Sequence, residues 1–210
     1  MKGFAPLPLL LLLLCFWQLQ EGVQACTCLP EHPQEVYCRS DVVIRAKVVG
    51  VSKGGPGFFD SVKYHLDLIR VFKGPKKYYD AIYTASSSAA CGVYLEVDVE
   101  YLLMASLRPD GTLFISSCDY FQPWKSLTTT QKKLLKHYPK GCACTITPCY
   151  SLPCIPTKRT ECMWSDFAPI KPVHGNQATN YACIKRNWKG FCVWKSPKVF
   201  VDIISARDVD

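Results

Sequence analysis

Two cysteines stand one residue apart at Cys26-Thr27-Cys28, directly after Val23-Gln24-Ala25. Small residues at positions −3 and −1 are typical of a signal-peptide cleavage site, so we expect the mature chain to begin at Cys26. A terminal α-amine has a pKa of about 7.7 to 8.0, and with the carbonyl oxygen of its own residue it can chelate one metal ion. A catalytic zinc keeps one open position that holds water, and this chelate would displace that water. The chemistry predicted for Cys26 is therefore inhibition of a zinc hydrolase.

The first 25 residues have the features of a cleavable signal peptide. Lys2 gives a basic start, and an apolar run extends from Leu9 to Trp17. This run is too short for a membrane helix, which needs roughly 18 or more apolar residues, and no later segment reaches that length. We expect a secreted protein of the extracellular space or matrix, without a membrane span.

The mature cysteines form an even set once Cys15, inside the predicted signal peptide, is set aside. They are Cys26, Cys28, Cys38, Cys91, Cys118, Cys142, Cys144, Cys149, Cys154, Cys162, Cys183 and Cys192. A dense, even set in an oxidising compartment predicts a disulfide framework. The alternative is a zinc-thiolate cluster within residues 142–154, which secretion disfavours because free thiolates would oxidise. The pairing itself cannot be obtained from the spacing.

The spacing of Cys26 and Cys28 does not by itself establish a function. Cys142 and Cys144 have the same spacing, and a purely structural role is the commoner one for such a pair. A chelating terminus would also have to be rigid, because ordering it on binding would cost free energy.

The chain between residues 41 and 115 has the pattern of a β-sheet domain. Residues 62–68 alternate strictly between apolar and polar side chains, and several other β-rich runs are bounded by glycine and proline turns. Five or six short strands predict a small closed barrel or a sandwich, and strand count does not choose between them. Thr128 and Gln131 form a predicted capping box at the start of a helix.

A change in composition near Gly141 predicts a domain boundary. Residues 142–192 hold seven of the twelve mature cysteines and several prolines. We therefore predict a signal peptide at 1–25, a first domain at 26–141 and a small cysteine-rich domain at 142–210 with an acidic tail.

The sequence offers little support for an enzyme. None of the four histidines begins a His-Glu-x-x-His motif. Residues 50–54 match the Gly-x-Ser-x-Gly nucleophile elbow around Ser52, but that motif needs a following helix, and Gly55-Pro56-Gly57 favours a hairpin loop instead. No nucleophile, base and orienting acid are brought together by the pattern.

Motifs along the whole mature chain resemble the tissue inhibitors of metalloproteinases. The matching residues include Cys26-Thr27-Cys28, His32-Pro33-Gln34, Val43-Ile44-Arg45-Ala46-Lys47, Phe72-Lys73-Gly74, Cys91-Gly92, Pro123-Trp124, Glu161-Cys162-Met163-Trp164, Tyr181-Ala182-Cys183-Ile184 and Cys192-Val193-Trp194. The resemblance implies a mainly β chain with short helices. Its first domain would be an OB-fold (netrin-like) five-stranded β-barrel that carries the inhibitory site, and its C-terminal domain would be small and disulfide-rich.

The resemblance also implies a disulfide pattern and an inhibitory site. The implied bridges are Cys26–Cys91, Cys28–Cys118, Cys38–Cys142, Cys144–Cys192, Cys149–Cys154 and Cys162–Cys183. Cys26 would bind the target's zinc through its backbone amine and carbonyl oxygen, and Thr27 would enter the specificity pocket. The remaining implied contacts with the protease are Cys28, Leu29, Pro30, Ser88, Ala89, Ala90 and Cys91.

The partners implied by the resemblance are matrix metalloproteinases and related zinc endopeptidases, bound one to one. The chain would have no catalytic residues and no cofactor of its own, since the zinc belongs to the target. Val201-Asp202-Ile203 resembles the tail of members that bind protease proforms through the second domain. No nucleic-acid partner is expected.

The alternative function is a module that binds extracellular matrix or a receptor without inhibiting a protease. The net charge is +8, and Lys132, Lys133, Lys136 and Lys140 fall near one predicted helix, where they could contact sulfated glycosaminoglycans. An ordinary solvated face is the commoner explanation of such lysines.

Overall fold

The computed structural model describes residues 26–54, 61–167, 174–186 and 190–197. The predicted signal peptide, most of the glycine-rich loop after Lys53 and the acidic tail lie outside the described residues. No helix within the described ranges is long and apolar enough to cross a membrane.

The described chain is mainly β-sheet with short helices, as the sequence predicts. The strands are β1 (Val42–Lys53), β2 (Ser61–Lys73), β3 (Ala81–Ala85), β4 (Glu100–Leu107), β5 (Leu113–Phe114), β6 (Tyr120–Pro123), β7 (Thr145–Pro148), β8 (Glu161–Trp164), β9 (Ala182–Lys185) and β10 (Cys192–Lys195). The α-helices are α1 (Pro33–Arg39), α2 (Thr129–Leu134) and α3 (Asn176–Asn180). Short 3-10 turns occupy Ser88–Ala90, Trp124–Ser126, Tyr138–Gly141 and Ser165–Phe167.

Five strands form a closed ring in the order β1-β2-β3-β5-β4, and β1 pairs with β4 to complete it. The β3–β5 pairing is parallel and the other pairings in the ring are antiparallel. Side chains alternate between the two faces of a strand, so Val42, Ile44, Ala46 and Val48 point into the core of the ring. Val43 faces the other way, into a second apolar cluster.

The second cluster joins the ring to α1, α2 and the C-terminal part of the chain. It packs Tyr37 and Leu134 against Leu102 of β4 and Ile184 of β9. The predicted capping box is confirmed, since Thr128 and Gln131 exchange hydrogen bonds between side chains and backbone at the start of α2.

Buried polar contacts also cross the predicted boundary near Gly141. The side chain of Gln34 donates to the carbonyl oxygens of Gly141 and Cys183, and it accepts from the Cys183 amide. A Cβ at Gly141 would lie 2.0 Å from the Cys183 oxygen, so only glycine permits this approach. The division into two domains stays a prediction, but the two sides of the boundary are closely packed on each other.

Candidate functional site

Two disulfides hold the start of the described chain against the sheet. Cys26 is bonded to Cys91 and Cys28 to Cys118, with sequence separations of 65 and 90 residues. In the chain-entropy model each such crosslink stabilises the fold by a few kcal/mol. The more important consequence is geometric, because both flanks of Thr27 are fixed to the folded domain.

Ser117 lies between these two disulfides. Its Oγ is 3.2 Å from Sγ of Cys26 and 3.7 Å from Sγ of Cys28. A disulfide sulfur carries no hydrogen, so the serine hydroxyl is the donor. The Ser117 amide donates to the Cys91 carbonyl oxygen at 2.8 Å. This hydrogen bond links the turn before β6 to the residue that forms the disulfide with Cys26. Sequence reasoning missed Ser117, for which the only signal was its position next to Cys118.

The short turn at residues 88–90, which leads into Cys91, has defined hydrogen bonds. The Ser87 side chain accepts from the amide of Ala90, and the Cys91 amide donates to the Ser88 oxygen. Cys91 has a left-handed backbone with φ 63°. A Cβ on the following Gly92 would lie 2.2 Å from the Ala85 oxygen, so only glycine fits at this position. Backbone hydrogen bonds and the close approach at Gly92 therefore support the exposed turn at 88–90.

The two anchored stretches form one exposed surface, which we call the ridge: residues 26–30 and 88–91. Thr27, Leu29 and Pro30 are exposed, as are Ser88, Ala89 and Ala90. Leu29 is 80% exposed. Cys28 and Cys91 are partly buried beneath these residues. The ridge thus presents small and apolar side chains on a crosslinked backbone.

The structure also contains the other four bridges that the resemblance implies. They are Cys38–Cys142, Cys144–Cys192, Cys149–Cys154 and Cys162–Cys183. Two cysteine triplets bring their sulfurs within 4.8 Å of one another, Cys26, Cys28 and Cys118 in one and Cys144, Cys183 and Cys192 in the other. Every one of these sulfurs is in a disulfide, so none is a thiolate ligand. The cysteines of the zinc-cluster alternative, Cys142, Cys144, Cys149 and Cys154, are likewise all in disulfides, so that alternative does not hold. The donors left at Cys26 are backbone atoms.

The serine-elbow alternative fails on geometry. Ser52 lies within β1 and its Oγ is 3.1 Å from Nε2 of His65 on β2. A nucleophile elbow needs a strand, a sharp turn and a helix in succession. Here the strand runs on to Lys53, and the serine and histidine are cross-strand neighbours on an exposed surface.

A basic groove lies beside the ring. Its lining combines two arginines from the strands, three lysines from α2 and the turn after it, and two aromatic rings: Arg45, Arg70, Lys132, Lys133, Lys136, Phe72 and Trp124, with Thr129. The Arg45 guanidinium carbon lies 4.5 Å from the centroid of the Trp124 ring, and the Lys132 ammonium nitrogen lies 5.0 Å from it. Lys140, which the sequence grouped with these lysines, does not line the groove.

The chain is similar to known proteins over most of its length. The family model described as tissue inhibitor of metalloproteinase matches residues 24–194. The chain is 45% identical over 191 residues to metalloproteinase inhibitor 2 of Cavia porcellus, covering 87% of this chain and 86% of that protein. It is 44% identical over 191 residues to metalloproteinase inhibitor 2 of Homo sapiens, with the same coverage. It is 41% identical over 188 residues to metalloproteinase inhibitor 3 of Scyliorhinus torazame, covering 88% and 87%. The chain belongs to the tissue inhibitor of metalloproteinase family.

Proposed function

We propose that the mature chain is a secreted inhibitor of zinc metalloendopeptidases, including matrix metalloproteinases, that binds them one to one and without a covalent bond. Family membership supports an inhibitor and not an enzyme, and the relatives are named metalloproteinase inhibitors. The observation that carries the proposed mechanism is the double anchoring of Cys26 and Cys28, which leaves Thr27 exposed between two crosslinks.

In the proposed mechanism, Cys26 provides two backbone ligands to the target's zinc. After cleavage behind Ala25, the Cys26 amine nitrogen and carbonyl oxygen close a five-membered ring on the metal and displace its water. Zinc binding requires the deprotonated amine, and an α-amine with a pKa of about 7.7 to 8.0 releases its proton to water when the metal binds near neutral pH. Because the Cys26 sulfur is in a disulfide, it takes no part.

The rest of the ridge supplies the contacts with the cleft. Thr27 enters the pocket for the substrate side chain that follows the scissile bond. Leu29 and Pro30 line the cleft on one side, and residues 88–90 line it on the other. The anchoring bonds at Cys91 and Ser117 support this role, because a ridge that is already ordered binds with a smaller entropic cost.

The function is tested by titrating an active matrix metalloproteinase with refolded, disulfide-verified protein that begins at Cys26. We expect activity to fall linearly and to reach its minimum at one equivalent. Full protease activity in the presence of excess correctly folded protein would contradict the proposal.

The basic groove favours a second candidate function, attachment to sulfated polysaccharide. Arg45, Arg70 and Lys132 stack on Trp124 or Phe72 at 4.5 to 5.1 Å, which leaves guanidinium and ammonium groups arranged around an aromatic floor. Glu100 pairs with Arg45 and reduces the positive charge at one end. Sulfate groups would meet these cations.

Retention on immobilised heparin tests this attachment. Replacing Lys132, Lys133 and Lys136 with alanine should lower the salt concentration needed for elution by more than replacing Lys76, Lys158 and Lys185, which removes the same charge elsewhere. Equal shifts for the two triple variants would mean that only net charge matters and that the groove is not a site.

Binding of protease proforms through the second domain is a further part of the proposal, and it rests on Val201-Asp202-Ile203. Removal of residues 199–210 should weaken proform binding, and unaltered binding would rule this role out.

A further inference from the structure

Arg39, the last residue of α1, connects two segments that carry the ridge. Its Nε donates to the carboxylate of Glu31 at 2.9 Å, and Nη1 donates to the carboxylate of Asp119 at 2.8 Å. Nη2 donates to the carbonyl oxygen of Cys118. One planar guanidinium therefore binds the segment that follows Cys28 and the turn that holds Cys118.

Asp119 passes this constraint to the disulfides. Its side chain is only 7% exposed, and its second oxygen accepts from the amide and the hydroxyl of Ser116, both at 2.9 Å. The neighbouring Ser117 bonds the Cys91 oxygen and lies against the Cys26 sulfur. Polar contacts therefore connect Arg39, through the turn at 116–119, to both cysteines of the Cys26–Cys91 disulfide.

The helix that carries Arg39 is itself firmly placed. The Cys38–Cys142 disulfide fixes its last turn, and Lys73 donates to the carbonyl oxygens of Tyr37 and Cys38 at 2.9 and 2.7 Å. At the other end, His32 accepts from the Gln34 amide and caps the helix. Arg39 therefore extends from a rigid support towards the more exposed chain around Cys28.

We propose that Arg39 is a positioning residue that sets the orientation of the ridge before the protease arrives, through its bonds to Glu31, Asp119 and the Cys118 oxygen. The inference rests on the proposed function, since it assigns how that site is held. A disulfide fixes a distance but keeps rotatable bonds, so the Cys28–Cys118 bridge alone does not fix the direction of the backbone. The guanidinium fork adds directional bonds in one plane.

The two carboxylates contribute unequally. The side chains of Glu31 and Arg39 are 38% and 39% exposed, so water and salt weaken the salt bridge between them. Asp119 is nearly buried, and removing Arg39 would take away the cation that pairs with its carboxylate. The turn at 116–119 should therefore loosen more than the segment around Glu31.

The effect of losing these bonds is measured as the inhibition constant against an active matrix metalloproteinase. We expect Arg39→Ala to raise the inhibition constant about tenfold, the result of ordering the ridge on binding. Glu31→Gln should raise it about threefold, and the double variant should match Arg39→Ala alone, because both changes break one network. Arg186→Ala removes the same charge from an exposed position in the C-terminal part and should inhibit like the parent chain.

Amide hydrogen exchange gives a readout that does not depend on the protease. The Ser116 and Ser117 amides should exchange at least about tenfold faster in Arg39→Ala than in the parent chain, with no change in Arg186→Ala. Unchanged exchange at these amides, or effects of Glu31→Gln and Arg39→Ala on inhibition that multiply, would overturn the positioning role. If the parent chain fails to inhibit, the proposed function fails, and the exchange rates still decide whether Arg39 holds the turn.

Discussion

One extra alanine before Cys26 is expected to reduce inhibition by about 1,000-fold or more, which corresponds to at least ~4 kcal/mol of binding free energy. The addition converts the Cys26 amine into a peptide nitrogen, which is a poor zinc ligand at neutral pH. It also places a residue where the metal must lie. The measurement is the inhibition constant of the extended chain against that of the chain that begins at Cys26.

The extended chain needs evidence that it is otherwise intact. Its six disulfides and its thermal unfolding should match those of the parent, since the addition precedes the first crosslinked residue. An extended chain that folds correctly and inhibits as strongly as the parent would exclude the chelate mechanism. It would then favour contacts of the ridge surface alone.

Acid is expected to destabilise the protein through His32. This side chain is fully buried, and burial lowers its pKa from 6.5 to about 4, partly offset by a hydrogen bond to the Gln177 oxygen. The neutral ring is favoured in the folded state, so its stabilising contribution is complete above pH 6.5 and is lost as the pH falls towards 4. At about 1.4 kcal/mol for each pH unit, the loss amounts to roughly 3 kcal/mol.

The position of His32 explains why this loss would be concentrated between the N-terminal segment and the C-terminal part. Its ring packs on Trp164 and Trp194 with centroids 5.4 and 5.2 Å away. Burial raises the pKa of the neighbouring Glu35, which acts in the opposite direction as the pH falls.

The contribution of His32 is therefore isolated as a difference between two proteins. The free energy of unfolding of the parent and of His32→Asn is measured from pH 7.5 to pH 4, with disulfides intact. Asparagine can still cap α1 but does not titrate in this range. The free energy of unfolding of the parent should fall more than that of the variant between pH 6.5 and 4. If the two proteins show the same dependence on pH, protonation of His32 does not cause the loss of stability.

Local signals in the sequence predicted local structure well. Two of these signals depend only on residues close in sequence: the capping box at Thr128 and Gln131, and the alternation along residues 62–68. The structure has the start of α2 and the strand β2 at these positions. The implied cysteine pairs came from the family resemblance, because spacing leaves many pairings possible.

Contacts between distant residues could not be obtained from the pattern. Ser117 and Asp119 have no distinctive signal, and Arg39 is an ordinary basic residue at a helix end until the fold brings residues 31 and 119 to it. The basic groove shows the same limit. The lysines of α2 were visible in the sequence, but Arg45 and Trp124 meet them only through the pairing of β1, β4 and β6.

A crystal structure of the mature chain bound to an active matrix metalloproteinase, with the zinc in place, would show directly whether Cys26 binds the metal. We expect the Cys26 amine nitrogen and carbonyl oxygen on the zinc at about 2.0 to 2.2 Å, no water in that position, and Thr27 in the adjacent pocket. A complex in which the zinc keeps its water and Cys26 lies away from the metal would contradict the chelate mechanism.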